Sequence, residues 1–438
     1  MICEEEIVKV KKSDYNYFVN MKDEYILFNT RTLSLVVLNE EEFSKYKQIC
    51  GGKEYSDAFY NELYKAGFLI DNDLNEKEVL KYRLQKSRYS KEEMSLTIAP
   101  TMGCNFSCVY CYQRQGEEKN SGLMEERIQD AIINFVKVKL SGCKRLTVLW
   151  YGGEPLLGFE IIQKLSYKLM DICEKMNVKY EASIITNGYL LDRFSPYEFQ
   201  KMKINDMQIT LDGGKEAHDK RRMLKSKGGT FDRIIENIQK YNKFLNISVR
   251  INVDKENEKG IYQLINEFES RKIDKVSLYV APVTNSENPN DPNCFKCQEF
   301  AGIFKKFEKR VENSGMKGSR KEIIGCSHYC DADFENAYVI DNIGDIYKCW
   351  SDIGNQTWCV GNILNEKQKN PHVYYTYMTY DPTEDNECME CKMLPLCMGG
   401  CPHYRVHNID RCSTYRYILD DVILRKYSEK ILSEDKEN

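Results

Sequence analysis

Between residues 94 and 280 the chain passes six times from a short β-like apolar run toward helical patterning. The strand-like runs are 95–100, 146–151, 182–185, 207–211, 247–253 and 275–280. Helical periodicity appears near 124–140, 160–174, 231–243 and 259–269. Strands joined by helical crossovers lie parallel in one sheet. Six units fit a partial (β/α)6 barrel of the TIM type better than a closed barrel of eight. In such α/β sheets chemistry sits at the carboxyl ends of the strands. The cysteine loop after the first strand, Gly152-Gly153, Asn187-Gly188 and Asp212-Gly213 all fall there.

That cysteine loop reads Cys104-Asn105-Phe106-Ser107-Cys108-Val109-Tyr110-Cys111. A C-x3-C-x2-C spacing supplies three thiolates where a cubic iron–sulfur cluster needs four ligands. The iron without a protein ligand has open coordination sites, so a substrate can bind it and receive an electron. The competing reading is a structural zinc site or three unrelated thiols, but zinc sites are usually built from paired C-x2-C knuckles. Gly152-Gly153-Glu154-Pro155 follows the second strand directly. Two glycines let backbone carbonyls approach a ligand without a Cβ in the way, and a row of carbonyls accepts hydrogen bonds from an ammonium group.

Eighteen cysteines in 438 residues are the outlying number of the composition. Eleven of them, Cys326 included with the C-terminal set, fall into two groups with ligand-like spacing. The start of the chain lacks a positive segment followed by an apolar run, which argues against a secretory signal. Disulfides therefore give way to metal or cluster ligation in a reducing cytoplasm, and the expected localisation is cytoplasmic. Hydrophobic residues make up 42%, as in a globular protein, and no apolar stretch approaches the roughly 20 residues that cross a bilayer. With 63 basic and 67 acidic side chains the net charge is -4, so no electrostatic case arises for nucleic acid or a membrane surface.

The second cysteine group is C-terminal. Cys330 precedes Gly344 and Gly344-x4-Cys349; then come Cys388-x2-Cys391-x5-Cys397-x3-Cys401 and finally Cys412. On spacing alone, the Cys388/Cys391 and Cys397/Cys401 pairs could bind one zinc as a ribbon. Cys3, Cys50, Cys143, Cys173, Cys294, Cys297 and Cys359 lie outside both groups and read as small buried hydrophobes. Cys294-x2-Cys297 has an alternative reading as a further ligand or redox pair. His218, in His218-Asp219-Lys220-Arg221-Arg222, reads as structural.

The cysteine loop, with Tyr110 just before its last cysteine, followed by Gly152-Gly153-Glu154-Pro155, resembles the radical S-adenosylmethionine enzymes over roughly residues 95–290. That resemblance implies a [4Fe–4S] cluster on Cys104, Cys108 and Cys111, whose open iron chelates the methionine amino and carboxylate groups. One electron then splits the sulfonium bond and yields a 5′-deoxyadenosyl radical, while the protein orients and shields. It also implies that Gly152, Gly153 and Glu154 hold the methionine amino group and that Thr210 stands where relatives have a carboxylate-contacting serine. Asn187 becomes a candidate for the ribose, Arg250 for the carboxylate and Tyr110 for the adenine.

The C-terminal cysteine order resembles the SPASM extension of peptide- and protein-modifying radical enzymes. That implies two auxiliary [4Fe–4S] clusters: one on Cys388, Cys391, Cys397 and Cys412, the other on Cys330, Cys349 and Cys401 with Cys326 as a possible fourth ligand. An external reductant such as flavodoxin or ferredoxin is then expected.

Residues 1–92 read as a separate domain and linker. A hairpin of 25–28 and 33–38 precedes helical patterns at 40–49 and 55–66, and a charged stretch follows at 76–93. The pattern is similar to the small winged-helix domains that bind leader peptides of ribosomally made natural products. The expected division is 1–92, a barrel at 93–290, a bridging and SPASM region at 291–425, and a charged, frayed tail at 426–438. The function expected is a maturase that installs a cross-link, a thioether for preference, in a precursor peptide with a leader. A sulfatase-maturing, formylglycine-generating enzyme is the alternative, and a non-enzymatic zinc or electron-transfer protein is the alternative of another class. Against the sulfatase reading, Trp350 stands where those enzymes have an aspartate base, which leaves the general base unassigned; Asp352 is only close in sequence.

Overall fold

The computed structural model describes residues 10–22, 24–113, 120–285, 288, 290–318, 330–365 and 369–437. The N-terminal region holds β1 (Val10–Lys12), β2 (Asn16–Asn20), β3 (Tyr25–Asn29), β4 (Leu35–Leu38) and β5 (Leu69–Asp71). The middle holds β6 (Glu93–Ile98), β7 (Phe106–Cys108), β8 (Arg145–Trp150), β9 (Lys179–Thr186), β10 (Ile204–Thr210), β11 (Arg222–Leu224), β12 (Asn246–Val253) and β13 (Val276–Pro282). β14 (Lys317–Gly318), β15 (Ala337–Ile340), β16 (Asp345–Tyr347) and β17 (Gly361–Asn362) follow.

One sheet of ten strands runs in the order β14-β13-β12-β10-β9-β8-β6-β15-β16-β17. Its six central members, β6, β8, β9, β10, β12 and β13, pair in parallel in that sequence. This is the partial barrel that the strand–helix rhythm predicts. The strand interiors show why it stays open. Along β12, Ile247, Val249, Ile251 and Val253 are buried, while Ser248, Arg250 and Asn252 are half-buried. Period-two alternation places the two sets on opposite faces. The apolar face joins the helices in the core that holds Ile234, Ile235, Ile238, Leu264 and Phe268. The other face is polar: Ser248 and Ser277 share a 3.0 Å hydrogen bond. A closed barrel fills its interior with branched apolar residues; this one presents polar groups to a cavity.

The flanking helices are amphipathic. In Phe159–Met176 the buried residues Ile161, Ile162, Leu165, Leu169, Ile172 and Cys173 recur at helical spacing on one face. Asn177 ends that helix in the left-handed region at φ 54°.

The N-terminal hairpin is β3–β4, widened by β2 into a three-stranded antiparallel sheet in the order β2-β3-β4. Helices Glu40–Cys50 and Ala58–Lys65 pack on it through Tyr46, Ile49 and Leu63. The Asn39 side chain and Glu42 form a capping box at the first of these. The charged stretch becomes the helix Glu76–Arg88, with Leu80 and Leu84 buried.

This region shares its core with the C-terminal cysteines. Val19, Ile26 and Phe28 cluster with Met393, Leu396, Leu419 and Ile423. Lys392 Nζ donates to Asn16 O at 2.8 Å, and Thr30 Oγ1 donates to Lys392 O at 2.6 Å. The helix Tyr415–Glu437 runs through the expected tail, and before it Leu419 and Ile423 meet the N-terminal sheet. No helix among the described residues is long and apolar enough to cross a membrane.

Candidate active site

The cysteine loop leaves β6 at Ile98 and is clamped by its own backbone. Thr101 Oγ1 donates to Gly122 O at 2.8 Å and accepts from Gly103 N at 3.0 Å. The Gly-Gly-Glu turn after β8 docks on this loop: Gly153 N donates to Thr101 O at 3.2 Å and Glu154 N to Gly103 O at 2.9 Å. A Cβ on Gly152 would lie 2.4 Å from Thr101 O, and one on Gly153 would lie 2.3 Å from Met102 O. Gly152 also has φ 113°. Glycine is therefore required so that two loops can touch, and the space a Cβ would take is filled by the cysteine loop itself.

Glu154 is fully buried, and its carboxylate accepts from Thr186 Oγ1 at 2.7 Å, Asn187 N at 2.8 Å and Leu156 N at 3.0 Å. Burial pushes this carboxyl up, against those three bonds. Its side chain ties the end of β8 to the end of β9.

Cys104, Cys108 and Cys111 open on a cavity of about 360 Å³, and Tyr110, Gly152, Gly153, Asn187, Thr210 and Arg250 line the same space. Of the residues named from the sequence for cofactor binding, only Glu154 does not line it. Asn187 Nδ2 donates to Asn105 Oδ1 at 2.8 Å. Thr210 and Arg250 sit opposite one another across β10 and β12, and Arg250 Nε donates to Asn252 Oδ1 at 2.8 Å. Tyr110 OH accepts from Arg222 Nη1 at 2.8 Å and from Asn252 Nδ2 at 3.0 Å. Burial pushes the Cys104 thiol up, and Glu154 adds to that. Burial likewise pushes Cys108 up to about 11, against the pull of Arg222. Cys108 is buried and Cys104 and Cys111 are half-buried; thiols crowded in this way are stabilised as thiolates by a cationic metal, so this donor set fits an iron–sulfur cluster with one iron left to another ligand.

The far wall of the cavity comes from the cysteine-rich region: Trp350, Ser351, His403 and Tyr404. Sequence reasoning assigned none of these to the cavity. Nor did it place Tyr112, Tyr151, Gln208, Arg222, Asn252 or Tyr279 on its lining. The inner-face positions were legible as the polar half of the β12 alternation. The C-terminal ones depend on β15 joining β6 in parallel, Ala337 opposite Ser95, which no local pattern announces.

Asp352 is buried and accepts from His403 Nδ1 and His407 Nε2, each at 2.9 Å, and from Tyr377 OH at 2.6 Å. Burial opposes its ionisation, but the bonds from His403, His407 and Tyr377 hold it below the usual carboxylate range. His218 is a structural group: its Nδ1 accepts from Asp212 N at 3.2 Å and its Nε2 meets Thr230 Oγ1 at 3.0 Å. Burial keeps it neutral.

Cys388, Cys391, Cys397 and Cys412 surround one recess. Cys330 and Cys401 line a neighbouring cavity of about 700 Å³ together with Cys294 and Cys297. Cys349 is buried within electrostatic reach of Cys330 and Cys401, and burial pushes its thiol far up. Cys3 and Cys326 lie outside the described residues. Cys143, Cys173 and Cys359 are buried and Cys50 half-buried.

Residues 98–268 match the radical SAM superfamily. A cysteine-type anaerobic sulfatase-maturating enzyme from Clostridium novyi (strain NT) is 25% identical over 350 residues, covering 71% of this chain and 88% of the relative. Among solved structures, native anSMEcpe with bound AdoMet and Cp18Cys peptide has a TM-score of 0.58 at 20% identity, covering 77% of this chain and 99% of that one. Streptococcus suis SuiB bound to precursor peptide SuiA has a TM-score of 0.53 at 18% identity, covering 92% of this chain and 99% of that one.

Proposed function

We propose that this chain, which carries a radical SAM domain over residues 98–268, is a maturase that modifies a peptide, using S-adenosylmethionine and three [4Fe–4S] clusters. The observation that carries the reading is the shared cavity. Cys104, Cys108 and Cys111 form one wall, while Trp350, Ser351, His403 and Tyr404, next to Cys349 and Cys401, form the other. A substrate that reaches the first cysteines touches the C-terminal cysteine region. When bound, the first cluster and S-adenosylmethionine supply a carbon-centred radical. The residues of this chain then have defined tasks. Gly152 and Gly153 hold the cysteine loop against its neighbour, Asn187, Thr210 and Arg250 offer polar groups to the cofactor, and the aromatic wall excludes water.

A precursor peptide is the substrate we infer. In the N-terminal sheet β4 pairs with β3 and with no other named strand, so its outer edge can take a leader segment by strand addition. The fold of a protein bound to its precursor peptide spans 92% of this chain, and so reaches into the N-terminal region. We propose a thioether as the bond made: Cys330, Cys349 and Cys401 supply three thiols, and an iron there without a protein ligand would take a substrate thiol. The second reading, a sulfatase-maturating enzyme, is favoured by the 25% identity to the Clostridium novyi protein. Trp350 at the position expected for its base weighs against it.

One experiment separates the two. Anaerobic enzyme, S-adenosylmethionine and a reductant are incubated with a short cysteine-containing peptide that carries a leader segment and with a sulfatase peptide. Loss of two hydrogens from the first peptide, with its sulfur retained and linked, supports the cross-linking maturase. Conversion of cysteine to an aldehyde in the second peptide, with the first untouched, replaces it by the sulfatase reading.

A further inference from the structure

The strand that carries Cys108 has one named partner. β7 pairs with β11 alone, in an antiparallel register that sets Arg222 opposite Cys108, Met223 opposite Ser107 and Leu224 opposite Phe106. Directly opposed residues of such a pair present their side chains on the same face, with Cβ atoms about 5 Å apart. The Arg222 side chain is thus delivered to the cluster side of the loop, where it lines the 360 Å³ cavity at 8% exposure.

Its hydrogen bonding is incomplete. Nη1 donates to Tyr110 OH at 2.8 Å, but Nε is buried without a hydrogen-bond partner. The adjacent Arg221 is the contrast: its guanidinium forks onto Asp254 at 2.7 and 3.0 Å and approaches Asp212 at 3.5 Å. Among the described residues no carboxylate forms an ion pair with Arg222; Cys108, Tyr110 and Asp212, in that order, act on its charge through space. A buried donor without a partner calls for an acceptor, and a buried cation for negative charge beside it. A thiolate-ligated cluster on Cys104, Cys108 and Cys111 supplies both.

We propose that Arg222 is a positioning residue for that cluster: its Nε–H donates to a sulfur on the Cys108 side, and its charge makes one-electron reduction of the cluster easier. The electron itself comes from an external reductant, and no bond of the protein is made or broken. Reduction makes the assembly more negative, so a fixed cation nearby favours the reduced state. Net charge, hydrogen bonds to sulfur and solvent exposure set such potentials, and Arg222 acts on the first two. The inference rests on the cluster reading of the three cysteines and on no assumption about the substrate.

The test uses full-length protein reconstituted anaerobically with iron and sulfide and titrated with dithionite under electron paramagnetic resonance. The signal that changes on adding S-adenosylmethionine identifies the cluster, and the auxiliary signals serve as internal reference. In Arg222→Gln the reduced-to-oxidised ratio at fixed potential should fall about tenfold, equivalent to a 59 mV drop for a one-electron couple. Arg222→Lys, which keeps the charge and displaces the donor, should recover part of that drop, and the auxiliary midpoints should stay in place. An unshifted midpoint in iron-replete Arg222→Gln overturns the proposal, as does an equal shift of all clusters. Loss of iron or fold in both variants assigns Arg222 a purely structural role and also overturns it. A wild-type protein without any signal responsive to S-adenosylmethionine defeats the radical SAM reading itself, an outcome distinct from an unshifted midpoint.

Discussion

The barrel and the C-terminal cysteine region hold their thiols in opposite ways. In the barrel the cysteine loop is an appendage of a finished fold. One continuous core, from Met94 to Met316 and joined by Ile340, Ile418 and Val422, lies behind it, and backbone bonds to the Gly-Gly-Glu turn fix its course. Between Cys330 and Cys412 the C-terminal region has strands of only two to four residues and helices of no more than eight. Its own apolar cluster is small, centred on Ala332, Cys349 and Tyr377, and the rest of its apolar contact is borrowed. β15 leans on β6, while Leu394 and Met398 are buried against Tyr15, Leu80 and Leu84 of the N-terminal region. Where a segment cannot bury enough of its own surface, metal ligation completes the folding. The first site should therefore outlive its metal and the second should not.

Iron removal tests this most severely. After chelation under reducing conditions, amide exchange in the helices Phe159–Met176 and Phe231–Tyr241 should stay slow. Protection across residues 388–412 should fall about a hundredfold or more, roughly 3 kcal/mol of local stability. Equal loss in both regions would show that the barrel, too, depends on its cluster, and the contrast would be withdrawn.

Cysteine variants divide the two regions chemically. Alanine at Cys104, Cys108 and Cys111 together should abolish 5′-deoxyadenosine formation and lower iron from about twelve to about eight per chain, with the C-terminal region intact. Cys391→Ala should leave uncoupled cofactor cleavage and block peptide modification. Persistent cleavage in the triple variant would sink the cluster assignment.

The junction with the N-terminal region offers a third test. Leu394 is fully buried between the positions of Cys391 and Cys397 and the helix Glu76–Arg88. Leu394→Ala should cost roughly 2–5 kcal/mol. The cost should appear as weaker leader binding and lower auxiliary iron, with barrel iron unchanged. A variant with full auxiliary iron and unweakened leader affinity would make the N-terminal region an independent module.

What the sequence made legible follows the same divide. The barrel was readable because its order is local: each strand alternates, each helix is periodic, and the loop cysteines lie within eight residues of each other. Runs such as Asn246–Val253 even reveal the polar inner face. The seven C-terminal cysteines were readable as a spacing, but the wall they build was not. Trp350 and Tyr404 reach the cavity only because β15 extends the barrel sheet. Strands of three residues, such as β7 and β11, carry no periodicity to detect, and their pairing places Arg222 against Cys108. The final helix was hidden by charge: its acidic and basic residues masked Leu419 and Ile423, which meet the sheet of a domain about 400 residues away.

The smallest expected effect asks whether the C-terminal region answers to pH on its own. Asp341 follows β15 and is fully buried. Its Oδ1 accepts from Asp345 N at 2.9 Å and Ile343 N at 3.1 Å, and its Oδ2 accepts from Tyr347 OH at 3.1 Å. Burial, with Asp345 second, pushes its carboxyl up to about 6. A carboxyl whose folded value lies above its unfolded value favours the folded state most where it is protonated. Stability of the β15–β16 hairpin should therefore fall as pH rises from about 4 through about 6. The upper bound is roughly 3 kcal/mol, at about 1.4 kcal/mol per unit of pKa. Asp345 is held below its ordinary value by Asn362, Lys369 and Gln356 in spite of its burial, so it titrates below this window and does not cancel the slope. Amide exchange at Ile340–Tyr347, corrected for intrinsic rate, should slow between pH 7 and pH 5, and Asp341→Asn should flatten that dependence. An unchanged slope in the variant would move the titrating group elsewhere and leave the hairpin's stability to its neighbours in the barrel sheet.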